Sequence, residues 1–223
     1  MKNNIIQNKF LHDEIKMSDK NILRNFEKFG DKMLLIAIMT LVNLVLSIIS
    51  WFIPMVGIVT LVIGIIVFLL FLIAVGSIRE AGIALNNEDL LSFRTKIIIA
   101  LILVVIGNIL WTIGLIGIGI VIFFAQITAA VIPYILITVT GIILLIIGAI
   151  LTIMAWGRLK DFFEANIKMF PRDVGRDAKK GASYCRIGAI LDLTVILMWL
   201  GFVFRILGLF KLSNLSVLIT DSE

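Results

Sequence analysis

The stretch from Ile97 to Gly157 contains no Asp, Glu, Lys or Arg, and this run limits what the chain can fold into. In water, so long an apolar segment would be insoluble. In hydrocarbon, an α-helix satisfies its backbone hydrogen bonds within the segment and leaves apolar side chains facing the acyl tails. The sequence therefore predicts an all-α fold, a polytopic transmembrane helical bundle.

The composition of the whole chain agrees with this prediction. It is 61% hydrophobic and 16% charged, whereas a soluble domain is roughly 45–50% apolar and about 25% charged. The formal charge of +5 comes from basic residues that flank apolar segments, so we expect the lipid bilayer as a partner and no nucleic acid. The single cysteine, Cys185, and the single histidine, His12, predict neither a disulfide nor a metal site, and no cofactor is expected.

Five apolar segments have the length of a membrane-spanning helix. The predicted spans are residues 33–53, 56–78, 97–124, 132–156 and 187–210. The remaining segments are an N-terminal segment 1–32, polar loops 79–96 and 157–186, and a tail 211–223. At about 1.5 Å per residue, each span covers a hydrocarbon core of about 30 Å. Five crossings are predicted, with six as the alternative.

The basic residues predict how the chain is oriented. Seven lie in residues 1–32, three in 79–96 and eight in 158–186. The positive-inside rule places all three groups on the cytoplasmic side of a cell membrane, together with the N-terminus. Three spans within the uncharged centre would move the last group to the other side, so we predict two long, tilted helices there.

Two polar segments have an amphipathic pattern that is typical of helices at the membrane surface. The first has a basic ridge formed by Lys16, Lys20, Arg24, Lys28 and Lys32. Beside it runs an apolar stripe formed by Ile22, Phe26, Phe29 and Met33. The pattern predicts either a helix that binds lipid headgroups or a solvated helix next to the membrane. The second segment, 159–170, is predicted to be another interfacial helix.

Glycines spaced seven residues apart recur along the chain. The pairs are Gly57 and Gly64, Gly107 and Gly114, Gly141 and Gly148, Gly181 and Gly188, and Gly201 and Gly208. Seven residues are about two helical turns, so both members of a pair lie on one face. Glycine lets a neighbouring backbone approach closely, which favours helix association in lipid. These positions are therefore the predicted helix-packing sites.

Several short apolar motifs together resemble a family of archaeal multi-spanning membrane proteins of unknown function. They are Phe52-Ile-Pro-Met-Val-Gly57, Ile98-Ile-Ala-Leu-Ile-Leu103 followed by Ile106-Gly107, and Ile187-Gly-Ala-Ile-Leu191. The resemblance covers most of residues 33–210. It implies a polytopic membrane fold and carries no activity with it. The charges at Asp192 and Arg205 depart from the family's apolar pattern.

Two amides and two charges are predicted to lie within the membrane. Asn43 and Asn108 fall near the middle of their spans, where an amide that pairs between helices contributes roughly 0.5–2 kcal/mol. Asp192 and Arg205 fall in the last span, where an ionisable group costs about 2.5–3.5 kcal/mol. Asp192 is our candidate for an intramembrane functional or partner-facing carboxylate.

The geometry of the last span leaves two alternatives open. On one continuous helix, Asp192 and Arg205 are 13 residues apart, which is about 20 Å, and cannot pair. A hairpin bent at Leu197–Gly201 would set them opposite each other and would make six crossings or a re-entrant loop. The continuous helix is the preferred prediction, because an arm that begins at Gly181 reaches only about 26 Å.

The sequence contains none of the common enzyme motifs, such as phosphate-binding loops, zinc-protease helices or serine nucleophile elbows. We therefore predict a non-enzymatic membrane protein that acts as a structural, assembly or lipid-interacting module, as a homo-oligomer or as a subunit of a membrane complex. The alternative is a small-solute or ion transporter or channel, which would need Asn43, Asn108 and Asp192 to converge on one cavity.

Overall fold

The apolar segments of the chain are helical throughout the part that the structure describes. In a computed structural model, the backbone is described for residues 2–50, 52–53, 55–123, 130–194 and 197–218, and the side chains from Lys20 onward within these ranges, apart from Met198. The α-helices in this part are α1 (Lys2–Ser50), α2 (Val56–Ala84), α3 (Glu88–Phe123), α4 (Ile132–Ala165), α5 (Arg172–Asp192) and α6 (Met198–Ser213). Two 3₁₀ turns, Ile167–Met169 and Asn214–Val217, follow α4 and α6.

Five helical segments are long and apolar enough to cross a membrane. They are Lys20–Ser50, Val56–Ala84, Glu88–Phe123, Ile132–Ala165 and Trp199–Val217. The predicted all-α membrane bundle with five such helices is confirmed. The helices of α1 to α4 pair as two antiparallel hairpins, α1 with α2 and α3 with α4.

The prediction of a polar loop over residues 79–96 is wrong, because the two neighbouring helices extend into this segment from both sides. The helix α2 ends at Ala84 and α3 begins at Glu88. Asn86 has a positive φ of 46°, a left-handed conformation that Asn tolerates better than most residues. The side-chain oxygen of Asn87 accepts a hydrogen bond from the Leu90 amide at 3.2 Å, which satisfies one free donor at the start of α3.

The two amphipathic segments are not separate surface helices. Residues 20–32 belong to the same continuous helix, α1, as the apolar segment that follows them, and residues 159–165 are the last turns of α4. The apolar stripe of the first segment, with Phe26 and Phe29, is fully buried within the protein, as are Phe162 and Phe163 of the second. The spacing of the apolar residues predicted these faces correctly, but they are covered by other parts of the protein and not by the membrane surface.

The continuous helix predicted over 187–210 is also wrong. The helix α5 ends at Asp192 and α6 begins at Met198, and the two pack against each other as an antiparallel hairpin. Close approach of glycine backbones on both helices and a charge pair between them hold the bend. The predicted loop at 157–186 is likewise mostly helical, since α4 and α5 occupy most of it.

Most of the buried side chains lie at one end of the molecule, which we call the charged end because the polar segments 20–32, 79–96 and 158–186 meet there. Phe26 of α1 stacks on Phe162 of α4 with ring centroids 5.5 Å apart, and its ring lies 5.1 Å from that of Phe170. Trp156 of α4 contacts the rings of Phe71 in α2 and Phe93 in α3. These rings join the four helices α1, α2, α3 and α4 into one core.

Candidate functional site

The helices α3 and α4 meet along a line of close backbone contact, which we call a glycine seam. A Cβ atom placed on Gly107 would lie 3.0 Å from the carbonyl oxygen of Gly141, and one on Gly141 would lie 2.8 Å from the oxygen of Gly107. A Cβ on Gly148 would lie 3.2 Å from the oxygen of Ala100. The contact at Gly141 is closer than real Cβ atoms come to a backbone, and those at Gly107 and Gly148 are tighter than most real contacts, so glycine at these positions favours this close packing of the two helices.

The same seam continues toward the far end of α3 and α4. A Cβ on Gly114 would clash with the backbone and hydroxyl of Thr138, and one on Gly117 would overlap the ring of Tyr134. Thr138 donates its hydroxyl to the Tyr134 carbonyl within its own helix, at 2.8 Å. Gly107, Gly114, Gly141 and Gly148 therefore all lie within this seam.

A second glycine seam joins α5 to α6. A Cβ on Gly188 would lie 2.7 Å from the oxygen of Gly201, and one on Gly201 would lie 2.8 Å from the oxygen of Gly188. Gly181 and Gly208 form an equivalent reciprocal contact, 2.7 Å in each direction. All four glycines lie where backbone faces backbone, which is how two short helices with little apolar area between them can pack tightly.

The remaining pair, Gly57 and Gly64 of α2, differs from the other four. A Cβ atom on either glycine would meet no described atom within 4 Å. We call the surface formed by Gly57, Thr60 and Gly64 the open glycine face. It is the same seven-residue pattern as in the two seams, without a helix packed against it in the described part of this chain.

The two intramembrane amides lie apart from each other. Asn108 is exposed on α3, and its Nδ2 donates to the Val104 carbonyl of the same helix at 2.8 Å. The side-chain oxygen of Asn43 in α1 is buried and has no hydrogen-bond partner among the described residues. The predicted pairing of these amides between helices is absent from the described contacts.

The two charges predicted to lie within the membrane form an ion pair. A carboxylate oxygen of Asp192 in α5 contacts the guanidinium of Arg205 in α6. A Cβ on Gly201 would lie 2.6 Å from the other carboxylate oxygen, so a glycine is also needed to make room for this pair. The alternative hairpin is therefore the observed arrangement, and it neutralises both charges inside the α5–α6 seam.

The basic ridge of α1 is available at the surface. Lys20, Arg24 and Lys28 are exposed and Lys32 is half-buried, whereas the side chain of Lys16 lies outside the described part. Lys28 and Lys32 line a shallow cleft with Ser77 and Glu80 of α2. Binding of lipid headgroups by this ridge remains a prediction.

The sequence did not predict several polar contacts at the charged end. The Nζ atom of Lys211 in α6 lies 3.0 Å from an oxygen of Asp177 in α5, and Asn214 donates to the other oxygen at 2.6 Å. Lys179 pairs with Glu164 across α5 and α4 at 2.8 Å. These partners lie far apart in sequence or across a bend, so no local spacing indicated them.

Within the described residues, no group of three or more His, Cys, Asp or Glu side chains could hold a metal ion. Asn43, Asn108 and Asp192 lie at three separate places and do not line a common cavity among these residues. Comparisons with family profiles, curated protein sequences and solved structures find no match for this chain. The resemblance to an archaeal family therefore remains a prediction.

Proposed function

We propose that this chain is a non-enzymatic membrane assembly module that associates with a second copy of itself through the open glycine face of α2. The observation that carries the proposal is the contrast between closed and open glycine pairs. Four pairs are used to bring helices of this chain together, whereas Gly57 and Gly64 face open space. A helix with this spacing is complementary to another helix with the same spacing, as an isologous interface requires.

The surroundings of the open glycine face support this function. In the described parts of α1 beyond Ala37 and of α2 before Ala74, no residue is fully buried, although both segments are long and apolar. Asn43 also lies in this region, and its buried side-chain oxygen has no hydrogen-bond partner among the described residues. The apolar surface of these two segments is therefore free to be covered by a second copy.

The transport alternative receives no comparable support. A transporter of this size would gather its polar side chains near the middle of the membrane. Here Asn108 is exposed and bonded within its own helix, and Asp192 is neutralised by Arg205. These polar groups lie at separate positions and are not gathered in one place, which favours an assembly role over transport.

The proposal is tested by measuring association in liposomes at low protein-to-lipid ratio. We expect energy transfer between donor- and acceptor-labelled copies of the unaltered chain. The double variant Gly57→Leu/Gly64→Leu should lose it, because the added side chains keep the helices apart. Gly119→Leu is the matched control, since Gly119 of α3 also faces open space and should leave association unchanged. A monomeric unaltered chain, or equal transfer in all three proteins, would contradict the proposal.

A further inference from the structure

The hairpin of α5 and α6 begins and ends at the charged end of the molecule. Lys211 and Asn214, which follow the apolar part of α6, both contact Asp177 near the start of α5. The next residues reach α1, because a Cβ atom on Gly30 would lie 2.8 Å from the carbonyl carbon of Leu215. Gly30 lies between Lys28 and Lys32 in the basic ridge. The chain therefore returns to the side from which α5 departs.

The segment Trp199–Val217 is long and apolar enough for one crossing, but Lys211 interrupts it, and the continuous exposed apolar surface of the hairpin is shorter than a bilayer. Its exposed large apolar residues are Ile187, Ile190, Leu193, Leu197, Trp199, Leu200, Val203 and Leu207. Charged residues bound this surface, since Arg186 precedes it in α5 and Lys211 follows it in α6. The longer arm, from Met198 to Leu207, rises about 15 Å, which is half of a hydrocarbon core of about 30 Å.

The described residues of the bend between the two helices make hydrogen bonds to nearby carbonyls. The amides of Leu193 and Thr194 donate to the carbonyls of Ile190 and Leu191, and the amide of Leu197 donates to that of Thr194. The Thr194 hydroxyl also donates to the Leu191 carbonyl, at 2.8 Å. Backbone outside a helix is tolerated at membrane depth only where its hydrogen bonds are made. These bonds, together with the Asp192–Arg205 pair, fit the bend to hydrocarbon.

From these observations we infer that α5 and α6 form a re-entrant hairpin that enters the membrane from the charged end only. Its apolar surface is covered by the acyl chains of the leaflet at that end. The chain then crosses the membrane four times, through α1 to α4, and the C-terminal tail lies on the same side as residues 20–32. This topology differs from five crossings, which would place the tail on the opposite side.

Accessibility of single cysteines in sealed vesicles tests the inference. In a Cys185→Ala background, Glu88→Cys marks the charged end, Phe52→Cys marks the opposite end and Thr194→Cys marks the bend. A further variant carries one cysteine added after the last residue. We expect a membrane-impermeant maleimide to label the added cysteine only from the side that labels Glu88→Cys. We expect Thr194→Cys to react from neither side until detergent is added.

Each other result would overturn the inference. Labelling of the added cysteine from the Phe52→Cys side would mean five crossings. Labelling of Thr194→Cys from that side would mean that the hairpin crosses completely, and labelling from the Glu88→Cys side would place the hairpin outside the membrane. If Cys185→Ala does not fold, epitope tags at the two termini of the unaltered chain decide between the same and opposite sides.

Discussion

The hairpins α1–α2 and α3–α4 are both strongly apolar but differ in how they are packed. Mean hydropathy is 2.5 and 3.4 over the apolar windows of α1 and α2, and 2.6 and 2.8 over those of α3 and α4. In the parts of α3 and α4 that lie away from the charged end, the buried residues are Gly107, Gly114, Gly117, Thr138, Gly141 and Gly148. The corresponding parts of α1 and α2, beyond Ala37 and before Ala74, contain no fully buried residue among those described. In lipid, apolar character therefore does not select partners, whereas the position of glycines does.

The two hairpins are joined at the charged end, where aromatic rings replace glycines as the packing element. The ring of Phe26 contacts those of Phe162, Phe163 and Phe170. Burial of aromatic area of this kind stabilises proteins in water and in membranes alike. The molecule thus combines a core of ordinary type at one end with backbone packing along its apolar length.

Phe26→Ala should have the largest effect of the changes considered, because it removes the ring that joins the two hairpins. Truncation of a buried Phe costs about 3–5 kcal/mol, and we expect the free energy of unfolding in a denaturing-detergent titration to fall by that amount. Phe52→Ala is the control, since Phe52 is 83% exposed and should change stability by less than about 0.5 kcal/mol. Equal losses in the two variants would show that the charged end is not the joint.

Asp192→Asn extends the comparison to the α5–α6 seam, which contains a charge pair as well as glycines. The change leaves Arg205 without its partner, and an unpaired charge at this depth costs about 2.5–3.5 kcal/mol on insertion scales. We expect a stability loss of that order by the same titration. The double variant Asp192→Asn/Arg205→Gln should recover most of it, because no charge remains. A double variant as unstable as the single one would mean that the pair acts through shape and not through charge.

Gly141→Ala against Gly64→Ala isolates the difference between a closed and an open glycine pair. In the seam, the new methyl group meets backbone atoms that cannot move cheaply, and overpacking of this kind costs about 1–3 kcal/mol. On the open face, the methyl group meets nothing, and Ala is favoured over Gly in a helix by roughly 0.5–1 kcal/mol. Thermal stability should fall for the first and rise for the second, at a detergent excess that separates copies. Changes of the same sign would break the comparison.

Asn43→Leu should have the smallest effect. It replaces an amide whose buried oxygen has no partner among the described residues, so we expect the isolated copy to gain about 0.5–1 kcal/mol, the magnitude typical of interhelical amides. Val42→Leu on the exposed side of the same turn controls for added apolar volume. A less stable isolated copy would indicate that the amide is already paired within the chain.

The sequence predicted the membrane fold and the glycine seams because both follow from local patterns. Hydropathy identifies a helix that suits lipid, and seven-residue spacing places two glycines on one face whatever the partner is. It did not predict which glycine pairs would be closed. Gly57 and Gly107 have similar apolar neighbours, and only the course of the chain decides which of them meets another helix.

The errors came from features that depend on distant residues. The stripe with Phe26 shows that one helical face is buried, but its spacing cannot tell lipid from protein as the cover. The bend after Asp192 lies in Leu193-Thr-Val-Ile-Leu197, which contains neither Gly nor Pro. Contacts across the hairpin, between Gly188 and Gly201 and between Asp192 and Arg205, stabilise it. Such contacts are not indicated by any local sequence pattern.

The contact of Gly30 with Leu215 and Ser216 has a consequence for the order of events during synthesis. Gly30 is translated early, and the residues that pack on it follow about 185 residues later. Until then, the stripe of α1 around this glycine has no cover from that segment. In the newly made chain, α1 therefore lacks this contact until Leu215 and Ser216 have been synthesised. A ribosome stalled before Leu215 would leave the first helix incompletely packed.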